Sequence, residues 1–274
     1  MNEFKRKLNI LKKIKNISVF SVIILIFVYI GVEPLVRENP VFRYLLYLLV
    51  LAGIAVVFIY ESKYASAEKF IEETELQIND AGYYITARTE TDTDSFKKEV
   101  LASLKSYGFK TQENIYTNEL QFDFTAVKGV EYVYCVKLDT VNRNDIIAYL
   151  DASERDIMAD KLRRKGECAV FFICNRADEG AKALSKSFTK IFVSRYNMIF
   201  ISPVIIEVDT KRVYFLGNRI SRTQKIVSRF ALDCEVPIDK KLIGNERLEF
   251  QKKLEKDMDN FSLSDFRKGN YNER

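Results

Sequence analysis

The chain has 274 residues, with 43 Lys and Arg against 38 Asp and Glu and no histidine. Without histidine there is no Ser-His-Asp or Cys-His nucleophile set and no His-ligated zinc or haem. The ten glycines are isolated, which excludes the Gly-rich phosphate cradles of P-loop and dinucleotide-binding proteins.

The whole charge excess of +5 sits in residues 1–16, where Lys5, Arg6, Lys7, Lys12, Lys13 and Lys15 face one acid, Glu3. A nucleic-acid-binding domain carries a basic excess of its own. Here the basicity goes with the N-terminal segment, so nucleic acid is not an expected partner. Phe4, Leu8, Leu11 and Ile14 of that segment share one helical face opposite lysines. The pattern fits a helix lying on anionic lipid or a plain topology signal.

Residues 17–32 and 44–60 contain no charge, and flanking apolar residues bring each close to the ~20 needed for a span. Two adjacent helices apolar on every side predict a transmembrane hairpin over residues 17–60. The loop between them carries Pro34 and Pro40 and two arginines against two glutamates. Six cations before the first span then place both termini in the cytoplasm, at the cell inner (plasma) membrane. Polar side chains within the spans are limited to Ser18, Ser21 and tyrosines, which suits an anchor better than a pore. Ala52, Gly53 and Ala55 suit close packing on the first helix or on a neighbouring subunit.

Residues 61–80 read as a helical stalk and residues 81–236 as a cytoplasmic mixed-sheet α/β domain. The alternating acids of "ETDTDS" lack the glycine and terminal glutamate of a calcium loop and predict instead a helix N-cap at Thr93 or Asp94. The helix that follows turns Phe96, Val100, Leu101, Leu104 and Tyr107 inward and stops at Gly108. A strand over residues 109–113 and a hairpin over 122–139 turning at Lys128-Gly129 come next. A helix over 145–164 leads to "CAVFFIC", apolar on both faces like a covered central strand. A short helix with Ala181, Leu184 and Phe188 inward, a strand over 191–196, a hairpin over 198–216 and a helix over 223–232 complete the domain. Residues 237–274 read as an exposed charged helix and tail. Cys168 and Cys174 share one strand about 20 Å apart, too far for a disulfide, so the four cysteines are expected as reduced thiols.

The order helix, strand, hairpin, helix, buried strand, helix resembles the restriction-endonuclease-like superfamily, in its Mrr-like branch. The points that carry the likeness are "SYGF" at 106–109, Asp123, Lys137 and "FFICNRADEGAKALSK", and it covers residues 93–190. In that family an aspartate and an E-x-K or Q-x-K triplet hold magnesium and activate water. The resemblance thus implies Asp123 as a metal ligand and Lys137 as the lysine that stabilises the hydroxide, with Glu99 as an auxiliary carboxylate. This chain departs from the pattern at Cys135, which stands where the second carboxylate belongs and is a poor partner for a hard cation. Register also matters: a two-residue turn at Lys128-Gly129 opposes Asp123 to Tyr134 and puts it on the other face from Lys137. A bulge opposes it to Cys135 and restores a shared face.

Two functional classes follow. The first is a membrane-anchored, non-catalytic α/β module without cofactor that binds a protein partner or self-associates at the inner membrane face. The second is a membrane-tethered, Mg-dependent nuclease, with Asp123, Lys137 and Glu99 at its site. A two-span pore or effector is a third.

Overall fold

The protein is described by a computed structural model that covers residues 3–31, 39–117, 119–159, 166–192, 198–219, 221–244 and 246–267. It divides into two compact units, one of Met1–Glu75 with Leu254–Arg274 and one of Leu76–Lys253. The end of the first expected span, the loop after it, the last turn of the 145–164 helix, the end of the 191–196 strand and the C-terminal tail lie outside the described residues.

The first unit is helical. Helix α1 (Glu3–Gly31) and helix α2 (Pro40–Lys63) are long and apolar enough to cross a membrane, with mean hydropathies of 2.1 and 2.3 over their most apolar 18 residues. Their most apolar stretches are almost wholly exposed, which is not how a buried core helix presents such residues. Asn39 caps α2 through its side-chain oxygen, and Pro40 follows at a position where its missing N–H costs nothing. The helices run antiparallel: Gly53 meets Val22, Tyr29 meets Tyr47 and Lys15 meets Glu61. A Cβ at Gly53 would overlap the Val22 side chain, so this small residue sets the approach of the two helices.

Helix α3 (Ala65–Ile78) continues the antiparallel pairing along the N-terminal half of α1. Lys12 bridges Glu68 and Glu72, and Lys5 pairs with Glu75. Leu8 is buried with Ala67, Ile71 and Phe261, and Phe4 packs on the Phe261 ring. Phe4 and Leu8 of the apolar face of the N-terminal segment therefore turn onto protein, while Ile14 is 45% exposed. Phe261 corrects the expectation of an exposed C-terminal segment. It is 4% exposed and stacks on Phe70, while Phe266 packs on the same ring.

The second unit is a mixed α/β sandwich of one large sheet between helices. Its elements in chain order are β1 (Tyr84–Ile85), α4 (Thr93–Ser106), β2 (Lys110–Thr117), β3 (Leu120–Lys128), β4 (Glu131–Lys137), β5 (Thr140–Val141), α5 (Arg143–Ala159), β6 (Gly166–Cys174), β7 (Arg176–Ala177) and α6 (Glu179–Ser185). Then follow β8 (Thr189–Phe192), β9 (Met198–Glu207), β10 (Arg212–Tyr214), α7 (Arg222–Val227), a π turn (Ser228–Leu232) and the first residues of α8 (Glu249–Asp259), which from Leu254 on belongs to the first unit.

The sheet order is β1-β10-β9-β6-β4-β3-β2, with β8 pairing β9 beside β10. β2, β3 and β4 form an antiparallel meander, and α5 then crosses over to deliver β6 parallel to β4. β6 is also parallel to β9 on its other side, which explains why the run 168–174 is apolar throughout. Alternate residues feed two cores. Phe96, Val100 and Leu104 of α4, with Phe230 of the π turn, cover Phe124, Cys135, Phe171 and Val204. Ile146, Ala152 and Ile157 of α5, with Ala181 of α6, cover Tyr134, Val136, Phe172 and Ile205 on the other face. Phe171 and Phe172, both fully buried, each contribute roughly 1.5–3 kcal/mol by leaving water.

Candidate functional site

The hairpin turns one residue later than the sequence expectation. Gly129 and Val130 form the turn, Lys128 opposes Glu131, and Phe124 opposes Cys135. Gly129 has φ +61°, and glycine at the first central position is what a two-residue type II′ turn demands. This register, continued, sets Asp123 opposite Val136, so both of the expected pairings, with Tyr134 and with Cys135, are corrected.

The ladder breaks at Asp123. On the β2 side, Glu113 pairs Phe124 and Ile115 pairs Phe122, but Asn114 and Asp123 between them do not pair, and Asn114 has φ +54°. Phe122 and Phe124 should share a face in a regular strand. Instead Phe124 enters the core under α4, and Phe122 enters the core under α5. The local twist carries the Asp123 carboxylate to the end of β4. There its Oδ2 accepts the backbone N–H of Lys137 at 2.6 Å, continuing the ladder with a side chain where the strand pairing has stopped.

Four charges gather at this strand end. Lys97 Nζ donates to Asp123 Oδ1 at 2.7 Å and lies 3.6 Å from Asp94, while Lys137 Nζ reaches both oxygens of Asp94 at 2.8 Å. Asp94 and Lys97 come from the first turns of α4, whose N-cap is Asp92 rather than Thr93 or Asp94. Asp123 and Lys137 thus meet in one cluster, but Lys137 takes Asp94 as its ion-pair partner and Asp123 takes Lys97. Two lysines balance two aspartates. The hydrogen bond from Lys137 is the largest influence on Asp94 and holds its carboxyl below the ordinary value. Burial is the largest influence on Lys97 and pushes it down, yet its bond to Asp123 and the charges of Asp123 and Asp94 together outweigh this and leave its pKa raised.

Cys135 lies wholly inside the core beneath α4, and burial pushes its thiol far up, so it is a neutral hydrophobe. Glu99 stands apart from the cluster: it accepts from the Arg88 guanidinium and lies against Glu90. Among the described residues, no three Asp, Glu or Cys side chains gather in a way that could hold a metal ion. All four cysteines are free thiols.

Sequence reasoning missed Asp94 and Lys97 as members of the site. Asp94 was legible only as a helix-start residue, and its partner lies 43 positions away. The i,i+3 spacing of Asp94 and Lys97 was the one local signal that they act together. Comparison with family models, with curated proteins and with solved structures finds no match to this chain.

Proposed function

We propose that the chain is a membrane-anchored, non-catalytic α/β module whose second unit binds a partner protein or another copy at the inner face of the membrane. The observation that carries the reading is the self-satisfied charge cluster. Both oxygens of Asp123 are already engaged, by Lys97 Nζ and by Lys137 N–H. The position of the second metal ligand is filled by the buried, neutral thiol of Cys135. A hard cation would have to displace an ammonium from Asp123 with no second carboxylate beside it on β4. The anchor is the α1–α2 hairpin, oriented by the N-terminal cations with residues 33–38 outside.

The test uses the full chain in lipid nanodiscs with plasmid and single-stranded DNA and added Mg²⁺ or Mn²⁺. The expected result is no metal-dependent cleavage. Cleavage that disappears in Asp123→Ala would overturn the reading. A membrane-partner search with the full chain and with residues 1–75 alone is its positive arm. Partners captured only by the full chain support the module, and identical profiles remove it. Orientation is read separately by labelling Asn39→Cys with an impermeant thiol reagent in intact cells.

One observation favours the nuclease as the second reading. Helix α4, the β2-β3-β4 meander, crossover α5 and the parallel strand β6 occur in the order that the restriction-endonuclease-like resemblance implies. In that reading Asp94 of α4 supplies a carboxylate near Asp123, and Cys135→Glu raises metal-dependent cleavage by adding the missing ligand.

A further inference from the structure

Asp80 lies where the chain enters the second unit, and Lys186 follows α6, 106 positions further on. Both side chains are 0% exposed. Lys186 Nζ donates to Asp80 Oδ2 and, at 2.7 Å, to Phe215 O. The other carboxyl oxygen, Oδ1, receives three donors: Gly217 N–H and Asn218 N–H at 2.9 Å each and Tyr84 Oη at 3.1 Å. A Cβ at Gly217 would overlap the Tyr84 hydroxyl, so the glycine is what admits the third donor. The Tyr84 ring packs on Phe215 and lies over Nζ, 5.5 Å from its centroid.

The asymmetry of the Asp80 carboxyl is the telling feature. Among the described residues, every donor except Lys186 converges on Oδ1, and Oδ2 meets Nζ alone. Two successive backbone N–H groups and a hydroxyl aimed at one carboxyl oxygen form an oxyanion hole, and an amine stands at the other oxygen. Those are the parts of an acyl transfer with lysine as nucleophile. Burial pushes the Lys186 ammonium down against the opposing pull of Asp80, and burial also pushes the Tyr84 hydroxyl up, so it stays a donor. In water, hydration of a free ammonium and a free carboxylate opposes their condensation. In this core that hydration is gone, and the amine is held against its target.

We propose that Lys186 and Asp80 are a self-modification site, at which Nζ condenses with the Asp80 carboxyl to an isopeptide bond and releases one water. The ion pair is the reactant, and chains that have not linked keep it. One ammonium proton passes from Nζ to Oδ2, leaving an amine beside a carboxylic acid. The nitrogen lone pair attacks Cγ, and the negative charge moves onto Oδ1 among Gly217 N–H, Asn218 N–H and Tyr84 Oη. A second proton passes from nitrogen to Oδ2, the Cγ–Oδ2 bond breaks, and Oδ2 leaves as water. The third proton stays as the amide N–H and keeps Phe215 O as its acceptor. The product closes residues 80–186 into a covalent loop that ties the entry of the second unit to the end of α6.

The experiment is mass spectrometry of the full chain, purified in nanodiscs and then denatured, both fresh and after prolonged incubation in the folded state. A species lighter by one water is expected. Tryptic digestion of it should give a branched peptide that joins the Asp80 peptide to the Lys186 peptide, with no cleavage after Lys186. Asp80→Ala and Lys186→Met are each expected at the full sequence mass with two linear peptides. The wild-type branched peptide decides the matter by itself if neither variant folds. A wild-type chain that keeps its full mass at every time overturns the proposal. So does a water loss that persists in Lys186→Met or maps to one linear peptide, since that is ring closure of Asp80 on its own backbone.

Discussion

Two lysine–aspartate assemblies in the same unit show what burial does to an identical chemistry. Lys186 and Asp80 pair with both side chains 0% exposed. Every polar atom there is used: Lys186 also donates to Phe215 O at 2.7 Å, and Asp80 Oδ1 accepts from Gly217 N, Asn218 N and Tyr84 Oη. The cluster of Asp94, Lys97, Asp123 and Lys137 is 22–54% exposed, and water competes for each of its bonds. The buried pair holds the chain entering β1 against the segment after β10 and cannot open without leaving a charge in the core. The rim cluster can exchange partners, and that is why it, and not Lys186, is the candidate functional site.

The sharpest way to break this comparison is to remove Lys186. Lys186→Ala leaves the Asp80 carboxylate buried without its cation and is expected to cost about 3–5 kcal/mol in denaturant unfolding of the full chain. A cost below that of an exposed pair would mean that water reaches Asp80. Gly217→Ala probes the same region through packing, because a Cβ there would overlap the Tyr84 ring, which packs on Phe215. The expected loss is about 1–3 kcal/mol, read from the same denaturation midpoint.

At the rim, Asp123→Ala should cost more than the ion pair alone because it strips the acceptor from the Lys137 N–H. About 1–2 kcal/mol is expected, and Asp123→Asn, which keeps an acceptor oxygen, should recover most of it. Equal losses in the two variants would show that the charge of Asp123, not its place in the ladder, matters.

The α1–α3 seam of the helical unit is a third case between the two. Burial pushes Glu68 up, but hydrogen bonds from Lys12 and Tyr60 outweigh it and hold its carboxyl below 4.5. Stability from that seam is therefore complete above pH 4.5 and lost as pH falls through the lowered folded value. Lys12→Gln should cost about 0.5 kcal/mol and shrink this acid-side slope, measured by thermal melts across the acid range. Asp94→Ala stands at the bottom of the series, since its carboxylate is in water; no shift in the unfolding midpoint is expected.

The element order was largely legible in the sequence for local reasons. Val100 and Leu104 on one side of α4, and the two-faced apolar run of β6, announce their own structure through spacing. The hairpin turn was off by one residue because glycine is acceptable at either central position of a two-residue turn, and only the strand register selects between them. Strand parity by itself would set Phe122 and Phe124 on one face, and the break at Asn114 and Asp123 puts them on two.

The sequence alone determined the two apolar helices, the balanced charge of the rest of the chain and the reduced cysteines, because each depends on residue identity or on spacing along one element. The tertiary structure alone decided which charges meet. Lys97 with Asp123, Lys137 with Asp94 and Lys186 with Asp80 join residues 26 to 106 positions apart. A charged side chain has no preferred sequence distance to its partner; it takes the counter-charge that packing leaves nearest and least hydrated.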